Sequence, residues 1–246
     1  MRVDVLTLFP EMFYAVTGSS MLGRAAENGL LDIRLLNIRD FSEDKHKKAD
    51  DSPFGGGAGM VLLADPVFKA LESVSAERKR RIYMSPRGKT LDYQKIVELS
   101  KEEELVILCG HYEGVDERIL LHWDMEEISI GDYILTGGEL AAMVLIDATA
   151  RMIPGVLGSD VSAEAESFYS GLLEYPQYTK PREYRGMEVP PVLVNGNHEL
   201  IRLWQFEQSL VLTKHKRPEM FERFIKESAD LSKKEKKILE KVIDLV

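Results

Sequence analysis

Cysteine is nearly missing from this 246-residue chain: Cys109 is the only one, so no intramolecular disulfide can form. No Cys/His cluster has the spacing of a structural zinc site, and a reducing, cytoplasmic setting is expected. Long hydrophobic runs are missing too. The longest strongly apolar stretch, Leu140 to Ile146, stops at Asp147 and is far too short to span a bilayer. The first residues, Met1 to Leu6, place Asp4 inside the only apolar run there and lack the length and cleavage pattern of a signal peptide. Positive charge is scarce as well. Lysine plus arginine number 32 against 41 acidic residues, a formal net charge of -9, which excludes a bulk-basic coat protein and confines any nucleic-acid contact to local patches.

Familiar nucleotide and hydrolase motifs fail letter by letter. Gly88-Lys89-Thr90 resembles the end of a phosphate-binding loop, but Tyr83 occupies the place of its first glycine. Gly55 to Gly59 lacks the final glycine of a dinucleotide fingerprint and follows a polar loop rather than a strand. Neither a Gly-x-Ser-x-Gly elbow nor a His-Glu-x-x-His pair occurs. Cys109 ends an apolar run and reads as a small core residue rather than a nucleophile.

What is present is the composition of an ordinary globular protein, 44% hydrophobic and 30% charged. Short β-rich runs, Val3 to Leu8, Asp32 to Leu36, Arg81 to Met84, Leu105 to Cys109 and Glu127 to Ile130, alternate with helical stretches. The helices are expected near Ser19 to Glu27, Asp65 to Ser73, Leu91 to Ser100 and Gly138 to Ala150. This alternation predicts an α/β fold with a mainly parallel sheet. Between Asp40 and Met60 no periodicity is seen, and the glycines and proline of Asp50 to Gly59 predict a mobile functional loop. Pro154, Pro176, Pro181, Pro190 and Pro191 predict an interdomain linker, unstructured in the free protein. Apolar residues from Leu200 to Ile243 then recur at helical spacing, with Pro218 early in a second helix and Ser232 capping the last.

Three strands run into loops of one character: Tyr83 to Gly88, Cys109 to Val115 and Ser129 to Gly138. In an open α/β sheet ligands bind outside the carboxyl ends of strands, where glycines let backbone groups approach closely. Any one such loop is an ordinary glycine-rich turn, but three carrying Tyr, Glu, Asp and Ser together point to one polar, adenosine-sized pocket. Glu164 to Arg182 mixes acids, aromatics and a basic end, the composition of a segment that orders over a nucleotide. Basic clusters at Lys45 to Lys48, Arg78 to Arg81, Lys180 to Arg185 and Lys214 to Arg217 would make a local phosphate track.

These residues carry a likeness over essentially the whole chain. The start Leu8 to Phe13, the stretches Asp50 to Met60, Tyr83 to Gly88, Gly110 to Asp116, Ser129 to Glu139, Arg151 to Gly158 and Ser167 to Pro181, and Ile201 to Trp204 resemble the bacterial tRNA (guanine-37-N1)-methyltransferases of the TrmD type, of the SPOUT class. The resemblance implies a SPOUT-type parallel sheet with a deep trefoil knot, which general topology rules disfavour, plus a small C-terminal helical domain. It divides the chain into a knotted S-adenosylmethionine-binding domain (1–160), an interdomain linker (161–190) and a helical tRNA-binding domain (191–246). It implies tRNA and a second copy of the chain as partners, with neither DNA nor a membrane, and Mg2+ as an additional requirement, although no metal-ligand cluster is visible.

By the same resemblance Tyr83, Ser85, Pro86, Gly110, Tyr112, Glu113, Gly114, Ser129, Ile130, Gly131, Asp132, Tyr133, Ile134, Leu135, Gly137 and Gly138 would line the cofactor pocket. Glu166, where the family has aspartate, would be the general base from the partner subunit, and Arg151 would stabilise charge at guanine O6. Ala58 and Ala141 stand where the family has prolines, and Gln205-Phe206-Glu207 where arginines are commoner, which would shift tRNA contacts to Lys214, Lys216 and Arg217. Two other readings stay open on residues alone. One is methylation of a ribose 2'-hydroxyl or another RNA base; the other is a non-catalytic RNA-binding module.

Overall fold

The computed structural model describes residues 1–157, 167–228 and 231–244. The chain divides into two compact units, Met1–Asp160 and Val161–Val246.

The first unit is built on five parallel strands: β1 (Arg2–Thr7), β2 (Asp32–Asn37), β5 (Arg80–Thr90), β6 (Glu104–Cys109) and β7 (Glu126–Ser129), in the order β2-β1-β6-β5-β7. Strand side chains alternate between faces, and in the central strands β1 and β6 both faces are buried. Val3, Val5, Ile82, Met84, Leu105 and Ile107 form one core with residues of α2 (Ser20–Glu27), α4 (Tyr93–Leu99) and α6 (Glu139–Ala150). Leu6, Tyr83, Val106 and Leu108 form the other with α3 (Ala64–Ser73) and α5 (Glu117–His122). Strands covered on both sides read as continuous apolar runs, as Leu105-Val106-Ile107-Leu108-Cys109 does. Cys109 lies fully inside the first core, as its place at the end of that run predicts.

The five expected strands and four expected helices are all present, with boundaries differing mainly at the ends. β5 is the exception, because it runs on to Thr90. Met84 and Lys89 both pair with Ile128, so Ser85 to Gly88 bulges out of the ladder and the chain returns to the same neighbour. Four further α-helices and strands of this unit, all short, were not expected. The short helix α5 starts at Asp116, whose carboxylate accepts from the Arg118 N–H (3.0 Å). The loop between Asp50 and Met60 is closed at its base by two-residue strands, β3 (Asp50–Asp51) and β4 (Val61–Leu62), paired antiparallel. The remaining short helix, α1 (Tyr14–Thr17), follows β1.

At the amino ends of the strands a buried charge cluster closes the sheet. Lys79 Nζ donates to Asp4 Oδ2 (2.7 Å) and lies 3.1 Å from Glu104 Oε2, with Lys79 and Asp4 almost inaccessible.

Among its described residues the second unit has three α-helices, α7 (His198–Lys216), α8 (Pro218–Glu227) and α9 (Lys233–Asp244), around Leu172, Leu210, Phe221 and Val242, and one two-strand ribbon, β8 (Glu183–Tyr184) with β9 (Met187–Glu188). Pro218 opens α8, where its missing N–H costs nothing. Ser232 and Glu235 form a reciprocal cap on α9: the Ser232 N–H donates to Glu235 Oε2 (2.8 Å) and the Glu235 N–H to Ser232 Oγ (3.3 Å). The segment read as an unstructured connector sends Leu172, 2% exposed, into this core, and the Leu173 N–H donates to Thr213 Oγ1 (2.9 Å). One apolar side chain thus anchors residues whose aperiodic pattern announced no packing.

Candidate cofactor-binding site

Three loops leave the carboxyl ends of adjacent strands β6, β5 and β7 and enclose one cavity of about 390 Å3, within the range for small-molecule sites. Of the sixteen residues expected there all but Asp132 line it, and Met84, His111, Ile128, Thr136 and Ala141 complete the wall. Asp132 lies in the same 129–138 loop but not in the wall. Arg151 is at the carboxyl cap of α6, where its N–H donates to the Asp147 carbonyl (3.2 Å). Glu166 lies outside the described residues.

The loops close on one another through backbone, which requires glycine at specific points. The Gly138 N–H donates to the Gly110 carbonyl (2.8 Å), and His111 pairs with Gly137 across an antiparallel bridge. A Cβ on Gly138 would sit 2.9 Å from Cys109 Cα, and one on Gly88 would sit 2.3 Å from the Glu127 carbonyl carbon. Neither contact can relax by turning a side chain. In the third loop, the Ser129 hydroxyl accepts from the Gly131 N–H and donates to the Gly131 carbonyl, both at 3.1 Å, which fixes the turn that opens the 129–138 segment.

The loop between β3 and β4 joins this group. The Glu113 N–H donates to the Met60 carbonyl (3.0 Å), the Leu62 N–H to the Gly114 carbonyl (3.0 Å), and Gly59 lies so close to Glu113 that a Cβ would overlap its carboxylate. Tyr112 adopts a left-handed backbone, φ 58°, unusual for a residue with a side chain. Such strain persists where the surroundings over-determine it.

The wall is chemically quiet. Burial pushes the Tyr83 hydroxyl up to about 12, so it stays protonated and acts as a neutral surface. Burial also pushes the Cys109 thiol well above its ordinary value, which leaves it inert. Ala141 is the third residue of α6, so the helix holds the backbone there in the absence of proline. Among the described residues no group of three or more His, Cys, Asp or Glu is placed to hold a metal ion. Among them, too, no helix is long and apolar enough to cross a membrane.

Comparison with known proteins gives this cavity a family. The family model described as tRNA (Guanine-1)-methyltransferase TrmD matches residues 1–223. The chain belongs to this family. A tRNA (guanine-N(1)-)-methyltransferase of Alkaliphilus oremlandii is 52% identical, with 98% of each chain aligned. One of Ruminiclostridium cellulolyticum is 55% identical over 91% of this chain and 97% of its own, and one of Clostridium perfringens is 52% identical over 97% and 99%. Family membership sets aside the reading as a non-catalytic module.

The basic residues of the second unit are less available than their clustering suggested. Lys214 Nζ donates to the Val242 and Ile243 carbonyls (2.9 and 3.0 Å), capping α9, and the Arg217 guanidinium pairs with Glu219. Phe206 packs against Phe224, with ring centres 6.3 Å apart, and Glu207 pairs with Lys241 (2.6 Å), so the segment after Trp204 serves the helical core. Lys216 stays exposed.

Proposed function

We propose that the chain transfers a methyl group from S-adenosylmethionine to N1 of guanosine at position 37 of tRNA. The observation that carries this reading is the cavity at the carboxyl ends of β5, β6 and β7, walled by the glycine-rich loops of a family whose named members are tRNA guanine-N1 methyltransferases. When bound, the cofactor supplies an electrophilic methyl group on a sulfonium sulfur.

The residues that would hold it are those of the three loops, chiefly through backbone N–H and carbonyl groups that Gly110, Gly114, Gly137 and Gly138 leave accessible. Pro86, Ile130, Ile134 and Leu135 supply apolar surface and exclude water from the transferring carbon. Glu166 accepts the proton from guanine N1 as that nitrogen forms its bond to the methyl carbon, a task open to any carboxylate with the right reach. The extra methylene relative to aspartate changes that reach, not the chemistry. Arg151 presents a fixed fork of donors to the negative charge gathering at guanine O6.

The fold is read as a knotted one. The approach of Gly138 to Cys109 and Gly110, and of Gly88 to Glu127, supports three interlocked loops. A second copy of the chain completes the site by bringing Glu166 to Arg151. In favour of a dimer, α6 leaves Leu140 and Val144 half exposed besides its buried residues.

The decisive experiment is methyl transfer from labelled S-adenosylmethionine to tRNA transcripts carrying G or A at position 37, with wild-type and Glu166→Gln protein. Transfer to the G transcript alone, lost in the variant, is expected. Equal transfer to both transcripts would remove the position-37 assignment, and full activity of the variant would move the base elsewhere. A ribose 2'-hydroxyl methyltransferase would be indifferent to this substitution.

A further inference from the structure

Behind the cavity wall lies a carboxylate with no cation paired to it among the described residues. Glu139, the first residue of α6, is 1% exposed. One oxygen accepts from the Thr7 hydroxyl at the end of β1 (2.8 Å); the other faces His111 Nδ1 at 3.6 Å, too far for a hydrogen bond, and that nitrogen is buried with no partner. Phe9 and Tyr112 flank the imidazole at 4.9 Å on either side. A Cβ placed on Gly137 would lie 2.3 Å from both Glu139 Oε2 and His111 Nδ1, so Glu139 lies directly behind Gly137 and His111, which both line the cavity. The helix amino terminus favours a negative charge at this position, and the low dielectric of the surroundings extends its reach.

We propose that Glu139 is a specificity-determining residue for the cofactor: its buried charge favours a cationic ligand over a neutral one of the same shape. The inference rests on the cavity's assignment to S-adenosylmethionine. The donor carries a sulfonium cation; the spent product, S-adenosylhomocysteine, is the neutral thioether. They differ by one methyl group and one charge, so a negative charge just behind the wall separates them where shape does not. The positive charge leaves sulfur as the methyl group departs. Glu139 therefore stabilises the loaded ground state more than the transition state, and its effect falls on binding rather than on turnover.

The test is calorimetric titration of S-adenosylmethionine and S-adenosylhomocysteine into wild-type, Glu139→Gln and Glu139→Asp protein at pH 8.5, where imidazole is neutral, with KM and kcat measured alongside. For a unit charge about 10 Å away at an effective dielectric of about 20, Glu139→Gln should weaken the sulfonium ligand roughly tenfold relative to the thioether. It should raise KM without lowering kcat, and Glu139→Asp should restore much of the preference. Equal weakening of both ligands, or a fall in kcat at unchanged KM, would reduce Glu139 to a structural support and overturn the inference while leaving the cofactor assignment intact. Failure of wild-type protein to bind either ligand would overturn both. Should Glu139→Gln not fold, His111→Arg sets a permanent cation against the carboxylate. The same loss of preference is then expected, and an unchanged ratio would refute the proposal.

Discussion

Gly138→Ala isolates the contact on which the site's closure depends. Gly138 has φ -79° and ψ -8°, a conformation open to any residue, so the backbone itself raises no objection. By restricting the unfolded chain, alanine there would stabilise the protein by about 0.4–1 kcal/mol. Against this stands the new Cβ, 2.9 Å from Cys109 Cα and 3.0 Å from the Gly110 nitrogen. Both are main-chain atoms of a buried strand end and cannot swing aside. Overpacking of this kind costs about 1–3 kcal/mol, and stretching the 2.8 Å bond from Gly138 to Gly110 adds about 0.5–1.5 kcal/mol. The steric terms win, by about 1–3 kcal/mol, which for a chain of this size is a fall in melting temperature of roughly 2–12 °C. Because the displaced backbone is also the cavity wall, affinity for S-adenosylmethionine should fall at temperatures where the variant is fully folded. Gly29→Ala is the control: φ is +70° and nothing lies within 4 Å, so it pays only backbone strain and leaves cofactor affinity unchanged. Scanning calorimetry with isothermal titration measures both quantities. A Gly138→Ala protein as stable as wild type, or more so, would show that the two loops are not packed as described.

Tyr83, raised to about 12 from 10, contributes stability that is complete below pH 10 and is lost as pH rises toward 12; the loss, on the order of 2–3 kcal/mol, should disappear in Tyr83→Phe, read by urea unfolding across that window. Cys109 should resist iodoacetamide at pH 8 in the native protein and react fully once unfolded, and stoichiometric native labelling would contradict its burial. Lys79→Met removes the ammonium paired with buried Asp4, so it should cost about 3–5 kcal/mol in chemical denaturation, while the pair Asp4→Leu with Lys79→Met should recover most of that. Neither change should alter cofactor affinity, because the cluster sits at the opposite end of the strands from the cavity.

Local pattern revealed what local physics decides. The central strands β1 and β6 are short apolar runs covered on both faces, and β6 ends where Gly110 interrupts it. The three loops could be grouped before any coordinates because each follows a strand and so emerges at one edge of a parallel sheet. Less legible were features that depend on partners distant in sequence. Glu139 looks like an ordinary helix-opening acid, and only Thr7, 132 residues away, and His111 reveal it as a buried charge behind the cavity. Lys214 looks like part of a basic patch, but its ammonium caps a helix through the Val242 carbonyl, 28 residues later. Leu172 is one apolar residue in an aperiodic stretch, and its burial depends on three helices that follow it. The two-residue strands β3 and β4 are too short to leave a period at all.

The division of labour within the site follows from the same distinction. Binding rests on backbone geometry, so it is written as glycines at fixed points and is readable as a motif. Charge discrimination is proposed for Glu139, outside the wall, and proton transfer for Glu166. A substitution in the glycine loops should therefore disturb folding and binding together, as in Gly138→Ala. One at Glu139 should disturb the preference between cationic and neutral ligands, and one at Glu166 turnover alone. If Glu166→Gln instead lowered S-adenosylmethionine affinity in the absence of tRNA as strongly as Gly138→Ala, base and cofactor wall would be a single structural unit and this separation would fail.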